Sequence, residues 1–413
     1  MIKPPSPIKI FISTGEVSGD LQGALLVEAL YRQAQLQGLN VDIVALGGDR
    51  MATAGTTLLG NTTKIGSVGI IESLPFVFPT LKIQEKAKEY LHQQSPNIVV
   101  LIDYMGPNLS IGSYIRKTWP NLPIIWYIAP QEWVWSLGKD KTAKIVSFAD
   151  KLLAIFPGEA SYFRQQGADV TWVGHPIIDR IKMAPTREKA RSTLGIAPDT
   201  LAIALLPASR QQEVKYLMPV IFQAAQIIQK KLPQAHFLIP LSLEIYRDAI
   251  TEGINKYQLQ ATVYPSFPQN SDEIQERNNL EILAAADLAI AKSGTVNLEI
   301  ALLNIPQVVI YKVNPITAWI ARNILRFSIP FISPPNLVQM KSIVPELFQE
   351  NANPENIVSE ALELLLNSQR RAQTLNDYQE MRQSLGEEGV CNRAAQAILD
   401  LVLTRKSKSF SDV

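Results

Sequence analysis

The chain has 413 residues, of which 46 % are hydrophobic and 19 % are charged, and its formal net charge is +1. This length exceeds what one hydrophobic core usually supports, so we expect two domains. The small net charge argues against nucleic acid as a partner, because nucleic-acid binders carry a basic surface. The single cysteine excludes an internal disulfide, and the three histidines lie too far apart to predict a zinc site. We expect neither a metal nor a cofactor.

The sequence predicts no membrane span and no secretory signal. Its N-terminus is too short and too rich in proline for a signal peptide, and no apolar run reaches about 18 residues. Two segments, Val68–Ile83 and Ile316–Ile332, are nevertheless unusually apolar. Each is either an ordinary core element or a surface that contacts lipid or a membrane. We therefore expect a soluble protein, or one attached to a membrane only at its surface.

The first half alternates predicted strands with helical segments, which indicates a doubly wound α/β domain. Its first strand leads into a loop that contains Glu16, Ser18, Gly19 and Asp20, and a helix is predicted over Leu21–Arg32. The loop lacks the G-x-G-x-x-G dinucleotide fingerprint, which disfavours hydride transfer. Its Ser and Asp residues are either helix caps or part of a binding loop. Strands are predicted at Ile8–Ser13, Val41–Leu46, Asn97–Ile102, Pro123–Ile128, Lys151–Phe156 and Val173–Pro176.

Asp103 directly follows one of the buried strand candidates in the first half. Ligands of open parallel sheets bind beyond the carboxyl ends of the strands, so a carboxylate at this position is placed to act on one. It is either a general base or a cap for the following segment, and we favour the base. Gln131 and Trp133 follow the next predicted strand, so they are also expected at the carboxyl end of a strand, where ligands bind.

The second half repeats this alternation after a polar connection, and we place the domain boundary near residue 182. The expected division is an N-terminal domain over residues 1–182, a C-terminal domain over 183–385, and a helix with a frayed tail over 386–413. A helix is expected over about Val214–Lys231. Strands are predicted at Leu201–Leu206, Ala235–Pro240, Ala261–Tyr264, Ala289–Lys292 and Gln307–Tyr311.

Ser293-Gly294-Thr295 joins one of these strands to a helical segment. The first N–H groups of a helix, with the positive end of its dipole, form an anion site. Glu299 lies about one helical turn later, where its carboxylate is placed to accept hydrogen bonds from sugar hydroxyls. A phosphate and a polyol held side by side indicate a nucleotide or a nucleotide sugar.

Arg210 occupies a second strand-to-helix junction, directly after Ser209. The forked donors of a guanidinium suit a diphosphate, and the alternative is an interdomain salt bridge. Further along, Asn336 is expected in a rigid loop that presents its side chain. Together with Asp103, these residues predict two Rossmann-like domains that face a cleft. That is the GT-B architecture of nucleotide-sugar glycosyltransferases, with the donor held by the C-terminal domain.

The chain resembles the lipid-A-disaccharide synthase family from about residue 8 to residue 400. The resemblance is carried by several short motifs, and their order and spacing are together highly specific. These motifs are Gly15–Asp20, Asp103, Ala129–Trp135, Gly174–Pro176, Leu206–Arg210, Ser293–Glu299, Pro335–Leu337 and Val344–Leu347.

The resemblance implies inverting transfer from UDP-2,3-diacylglucosamine to 2,3-diacylglucosamine 1-phosphate, which yields a β-1,6-linked disaccharide phosphate and UDP. It implies that Asp103 is the candidate base and that Arg210 is required for activity. It also implies that the Ser293–Thr295 turn, Glu299 and Asn336 hold the uridine nucleotide. Family members attach peripherally to the inner face of the cytoplasmic membrane, and some form homodimers by exchanging C-terminal elements.

Several positions depart from the family pattern. Tyr104–Asn108 replaces the usual Ala-Pro-Asp-Phe-Asn, Ser136 replaces a basic residue, and Val338–Lys341 differs from the usual loop after Asn336. These departures affect the expected acceptor and acyl chains and leave the donor chemistry intact. One alternative is a related UDP-sugar enzyme, either an epimerase or a transferase with another lipid acceptor. The other is a paralogue that binds lipid or nucleotide without turnover.

Overall fold

The structure is a computed structural model that describes residues 6–63, 77–130, 132–134, 139–265, 279–312 and 331–411. The described chain divides into two compact units. The first runs to Asp179 and resumes at Leu385, and the second is Arg180–Ser384. The C-terminal segment therefore lies in the first unit, and does not form the separate segment that the sequence predicts over residues 386–413.

The first unit contains a sheet of seven parallel strands in the order β3-β2-β1-β4-β5-β6-β7. Ile98–Ile102 is buried at every position, as expected for a strand of a parallel sheet that is covered on both faces. β1 and β4 are neighbours, with Ser13 beside Leu101. The strands are β1 Ile8–Ser13, β2 Val41–Gly47, β3 Thr57–Asn61, β4 Ile98–Ile102, β5 Ile124–Tyr127, β6 Lys151–Ala154 and β7 Val170–Trp172.

Two elements of the first unit differ from the prediction in ways that affect the site. The first helix begins at Glu16 and not at Leu21, so Ser18, Gly19 and Asp20 lie in its first two turns and not in a loop. The last strand ends at Trp172, so Val173–Pro176 follows the strand. The helices up to the unit boundary are α1 Glu16–Leu36, α2 Asp49–Thr53, α3 Val77–Gln93, α4 Met105–Thr118, α5 Lys139–Phe148, α6 Pro157–Gln165 and α7 Ile177–Ile181.

The C-terminal helix is tied to this first sheet by backbone contacts. Gly174 has a left-handed φ of 89°, and a Cβ there would lie 3.0 Å from the Leu385 carbonyl oxygen, so only glycine fits without strain. The next residue, His175, donates its N–H to that carbonyl at 2.8 Å. The helix continues to Ser411, and Arg405 donates to the Asn121 carbonyl.

The second unit contains a sheet of six parallel strands in the order β10-β9-β8-β11-β12-β13. Its core packs Phe222 and Phe237 among aliphatic side chains. The strands are β8 Leu201–Leu206, β9 Ala235–Pro240, β10 Ala261–Tyr264, β11 Leu288–Lys292, β12 Gln307–Tyr311 and β13 Glu346–Phe348. The helices are α8 Arg187–Leu194, α9 Gln211–Tyr216, α10 Met218–Lys231, α11 Arg247–Tyr257, α12 Val296–Leu302, α13 Pro334–Gln339, α14 Pro354–Leu366 and α15 Ser368–Ser384, and α16 Val390–Ser411 follows in the first unit.

The helix predicted over Val214–Lys231 is two helices that meet at Leu217. Pro219 lies in the first turn of the second one, where its missing N–H group is tolerated, and it cannot continue the preceding helix. None of the described helices has the length and apolar character needed to cross a bilayer. Gln131 and most of the two apolar segments, Val68–Ile83 and Ile316–Ile332, lie outside the described residues.

Candidate active site

Four of the predicted functional residues lie at the topological switch points of the two sheets. In the first unit, the chain leaves β1 toward β2 on one side, and β4 lies on the other. Glu16 follows β1 and Asp103 follows β4. In the second unit, Arg210 follows β8 and Ser293 follows β11, and β8 and β11 are neighbours. Ligands of doubly wound sheets bind at such points, beyond the carboxyl ends of the strands.

Asp103 is held in a strained backbone conformation. It has a φ of 45° and Tyr104 a φ of 47°, so two consecutive residues with side chains occupy the left-handed region. Such residues cost about 1–3 kcal/mol each and cluster at active sites, where the surrounding structure holds them. Here the Asp103 N–H group donates to the carbonyl oxygens of Tyr127, at 3.3 Å, and Ile128, at 3.1 Å.

Asn108 fixes the ends of β1 and β4 next to Asp103. Its side chain is fully buried, and its Nδ2 donates to the carbonyl oxygens of Ser13, Ile102 and Asp103 at 3.2, 3.1 and 2.8 Å. Its Oδ1 accepts the Ser13 hydroxyl at 2.7 Å. Asn108 therefore positions Asp103, a role that sequence reasoning missed because its partner on the neighbouring strand, Ser13, lies 95 positions away.

The Asp103 carboxyl group is harder to ionise than a free aspartic acid. Desolvation by the surrounding protein, and then the nearby Glu16 carboxylate, raises the pKa of Asp103 to about 6, against the opposing effect of the Tyr104 N–H group. The residue keeps an exposed surface, so a substrate can reach its carboxyl group. A carboxyl group that titrates near neutrality and remains accessible is suited to take a proton from a substrate hydroxyl.

The residues around Gly15 pack closely against this site. A Cβ at Gly15 would lie 2.4 Å from the Tyr104 ring, and a Cβ at Gly19 would lie 2.2 Å from the Thr14 hydroxyl oxygen. Asp20 accepts the N–H groups of Gly48, Arg50 and Met51 at 2.8, 3.2 and 3.2 Å. Asp20 is thus a helix cap, which is one of the two roles that the sequence predicts for it. It caps the start of α2, however, and not the start of its own helix, α1.

A second buried carboxyl group, Glu159, supports the neighbouring strands. It accepts the N–H groups of Ala129, Ile155 and Phe156 at 3.0, 2.9 and 3.2 Å, so it joins the ends of β5 and β6. Desolvation is the main cause that raises the pKa of Glu159 to about 7, and the Asp103 charge contributes in the same direction. Sequence reasoning missed Glu159, although a proline at the helix start followed by a glutamate is a capping pattern.

Trp133 lies at this same end of the sheet and packs against protein side chains. Its ring centroid is 5.7 Å from that of Phe156, and a Cβ at Gly158 would lie 2.9 Å from the Trp133 ring. His175 also contacts Phe156, at 5.2 Å between ring centroids. Burial lowers the pKa of His175 to about 3, so its imidazole is neutral at physiological pH.

In the second unit, the Ser293–Thr295 turn is partly satisfied by the protein itself. The Ser293 hydroxyl donates to the Ile332 carbonyl at 2.8 Å, and the Gly294 N–H group donates to Asn297 Oδ1 at 2.7 Å. Among the described residues, the N–H groups of Thr295 and Val296 donate no hydrogen bond. The turn therefore offers an anion the N–H groups of Thr295 and Val296, and not that of Gly294.

Arg210 and Lys292 converge on one carboxylate. Glu213 Oε1 lies 3.9 Å from Arg210 Nη1 and 3.3 Å from Lys292 Nζ. The other oxygen, Oε2, accepts the N–H groups of Ser209 at 2.6 Å and Arg210 at 3.1 Å. The loop after β8 is thus joined to the end of β11. Sequence reasoning identified Arg210 and Ser209 and missed Glu213 and Lys292.

Glu299 is buried and forms an ion pair with Arg180 within the second unit. Both side chains are only 7 % exposed. The sequence predicts that Glu299 binds sugar hydroxyls, and the structure gives one of its oxygens, Oε1, a protein partner. Arg180 follows the crossover after β7, where nothing in the sequence pattern marked it.

Asn336 does not present its side chain from a loop, contrary to the prediction. It lies in the short helix α13 and is fully buried. Its Nδ2 donates to the Val344 carbonyl at 2.9 Å and to Glu346 Oε1 at 2.7 Å. Its Oδ1 accepts the N–H groups of Ile343 at 2.7 Å and Val344 at 2.9 Å. The amide is fully used in joining α13 to the following loop.

Comparison with known proteins identifies the family. The sequence model of a family described as lipid-A-disaccharide synthetase matches residues 10–401. Named lipid-A-disaccharide synthases are similar over their whole length. That of Gloeothece citriformis is 61 % identical over 96 % of this chain and 100 % of its own. That of Synechocystis is 55 % identical over 95 % of this chain and 98 % of its own.

The chain belongs to the lipid-A-disaccharide synthase family. It is thus a hexosyltransferase of lipid A biosynthesis, and the epimerase and non-catalytic alternatives are not favoured. A UDP-GlcNAc 2-epimerase from Neisseria meningitidis bound to UDP-GlcNAc superposes with a TM-score of 0.63 over 96 % of this chain and 100 % of that one, at 11 % identity. At that identity the likeness shows the fold alone. The prediction of two Rossmann-like domains of the GT-B class is confirmed.

Proposed function

We propose that the chain transfers a diacylglucosaminyl group from UDP-2,3-diacylglucosamine to the 6-hydroxyl of 2,3-diacylglucosamine 1-phosphate, with inversion. The observation that supports this most directly is the chemistry at the two switch points. One carries a carboxyl group whose pKa is raised to about 6, and the other carries two cations beside a turn with two N–H groups that have no acceptor in the described chain.

Asp103 would be the general base. It takes the proton of the acceptor hydroxyl while that oxygen attacks the anomeric carbon, the bond from that carbon to the β-phosphate oxygen breaks, and UDP leaves with the electron pair. Base catalysis of this kind typically contributes about 10²–10⁴ in rate. The first unit would bind the acceptor, with Glu16 and Trp133 at the same edge.

Arg210, Ser209 and the Ser293–Thr295 turn would bind the diphosphate of the donor. A guanidinium and backbone N–H groups stabilise the charge that gathers on the leaving phosphate. Arg180 would orient Glu299 by binding its Oε1 atom. The other carboxylate oxygen, Oε2, would accept hydrogen bonds from sugar hydroxyls. Asn336 would act by fixing the backbone of its loop, because its side chain is fully used within the protein.

The experiment that tests the function is an assay with both substrates. Purified chain in detergent receives UDP-2,3-diacylglucosamine and the monosaccharide 1-phosphate, and products are separated by mass. Equal amounts of UDP and disaccharide phosphate are expected. An isomerised donor without disaccharide would show an epimerase instead, and binding of UDP with no turnover would show a non-catalytic paralogue.

The pH dependence of kcat/KM should rise through about pH 6 and then level, because the base works only when deprotonated and the pKa of Asp103 is raised to about 6. Glu16→Gln removes a neighbouring negative charge, so it should move this limb to lower pH. Glu85→Gln, at an exposed position of α3, serves as the control. If the acidic limb of the pH profile stays at the same pH in Glu16→Gln, the proposed electrostatic coupling between Glu16 and Asp103 is contradicted.

We also propose that the chain acts at the inner face of the cytoplasmic membrane as a peripheral protein. The start of α3 supports this, because Phe78 is 82 % exposed and Leu81 is 52 % exposed. Exposed aliphatic and aromatic side chains at a helix start are suited to the membrane interface.

A homodimer, as some family members form, is part of the same proposal, and analytical ultracentrifugation would test it.

Flotation with anionic vesicles at low salt checks the membrane contact. The unaltered chain should float with the vesicles, and Phe78→Ser with Leu81→Ser should leave most of it in the soluble fraction. Ile245→Ser is the matched control, because Ile245 is 78 % exposed but lies in the second unit. A contact through α3 would be contradicted if Ile245→Ser lost as much flotation as the α3 variant. It would also be contradicted if the α3 variant still floated with the vesicles.

A further inference from the structure

Lys292 occupies a position whose chemistry the family-derived roles do not use. It is the last residue of β11 and directly precedes the Ser293–Thr295 turn. Its side chain is 15 % exposed, and that of Glu213, its partner, is 14 % exposed. An ammonium so far withdrawn from water needs a nearby anion. Tyr246 and Tyr311 lie near the same Arg210 and Glu213 groups.

Glu213 does not need Lys292 to hold the loop after β8. The carboxylate performs that task with Oε2, which accepts the N–H groups of Ser209 and Arg210. Oε1 faces the two cations instead. The two functions of the carboxylate are thus divided between its oxygens, and the cap on the loop does not depend on Lys292.

Gly294 lies next to the Lys292 ammonium. Among the described atoms, a Cβ at Gly294 would meet only Lys292 Nζ, at 3.5 Å, which is an ordinary contact. Gly294 is not among the residues with positive φ. Neither packing against these atoms nor backbone conformation therefore requires glycine here. The missing side chain leaves the backbone at Gly294 open, among the described atoms, to the close approach of a ligand.

We propose that Lys292 is a second cation for the diphosphate of the donor, acting with Arg210. This proposal rests on the proposed function and adds a substrate-contacting residue to it. The β-phosphate would lie above Gly294, within reach of the ammonium and of the N–H groups of Thr295 and Val296. When the bond between the anomeric carbon and the β-phosphate oxygen breaks, the electron pair remains on that oxygen. Lys292 then donates a hydrogen bond to it and keeps its own proton.

The test compares the affinities of the full chain for UDP, UMP and uridine by isothermal titration calorimetry. A charged hydrogen bond to the β-phosphate predicts that Lys292→Met weakens UDP binding about tenfold to a hundredfold. Uridine binding should change less than about twofold, because uridine lacks the phosphates. Lys292→Arg keeps the positive charge and should retain most of the preference for UDP. Lys230→Met, at an exposed position of α10, should change neither the affinity for UDP nor that for uridine.

A double variant separates direct contact from an indirect effect of Glu213. In Lys292→Met the Glu213 carboxylate loses a partner and would itself repel a diphosphate. Glu213→Gln removes that charge and keeps an oxygen for the cap. If Lys292 contacts the diphosphate, the double variant still binds UDP weakly. Recovery of UDP affinity in the double variant would overturn the proposal, as would equal weakening of UDP and uridine, or unchanged UDP binding, in Lys292→Met.

The same titrations distinguish this inference from the proposed function. If the unaltered chain binds UDP no more tightly than uridine, the diphosphate site itself is absent and both fail. If the unaltered chain prefers UDP and Lys292→Met keeps the full preference, only the role of Lys292 fails.

Discussion

Asp103→Asn should lower kcat/KM by about 10²–10⁴ and leave UDP affinity within about twofold. The amide cannot take the proton of the acceptor hydroxyl, and Asp103 is not among the residues proposed to bind the donor diphosphate. Asparagine is the appropriate replacement because it tolerates the left-handed φ of 45° at this position. The variant therefore removes the base without adding backbone strain.

The measurement is the initial rate of UDP release as a function of acceptor concentration, with UDP affinity measured separately. Asp42→Asn is the control, because Asp42 is exposed on β2 and should keep the full rate. Arg210→Ala should also lose activity, but with weakened UDP binding. Unaltered rates in both Asp103→Asn and Arg210→Ala would show that these roles are wrong.

Arg180→Met should lower the free energy of unfolding by about 3–5 kcal/mol. Both members of the Arg180–Glu299 pair are only 7 % exposed. Removal of the arginine leaves a buried carboxylate without its main counter-charge, and this costs more than the pair itself contributes. The double variant Arg180→Met with Glu299→Leu should recover much of the loss, because no charge then remains in the buried position.

Urea unfolding followed by far-UV circular dichroism measures this effect, and the transition of the second unit is the relevant one. Arg187→Met provides the contrast, because Arg187 is 46 % exposed in its pair with Asp287. A surface pair of that kind should cost less than about 1 kcal/mol. A loss in Arg180→Met as small as that in Arg187→Met would mean that the buried pair does not stabilise the second unit.

The strands could be predicted closely from sequence because buried parallel strands are continuous apolar runs with polar boundaries. Leu201–Leu206, Ala235–Pro240, Ala261–Tyr264 and Gln307–Tyr311 have the predicted bounds. The start of α1 was missed because Gly15 and Gly19 are poor helix formers. Glu16, the first residue of the helix, has a φ of 60°, outside the right-handed helical region, and no propensity predicts such a start.

The supporting side chains could not be predicted in the same way. Asn108 bonds to Ser13, which lies 95 positions away, and Arg180 pairs with Glu299 across 119 positions. Local periodicity carries no information on such partners, because they meet only after the sheets have formed. The sequence predicted that a loop presents the Asn336 side chain, and it could not show that the amide is used entirely within the protein.

A crystal structure of the full chain with UDP would show whether the donor diphosphate binds at the β8–β11 switch point. We expect phosphate oxygens about 2.7–3.2 Å from the Arg210 guanidinium and from the N–H groups of Thr295 and Val296. UDP bound at the β1–β4 edge beside Asp103, or elsewhere on the second unit, would contradict this expectation.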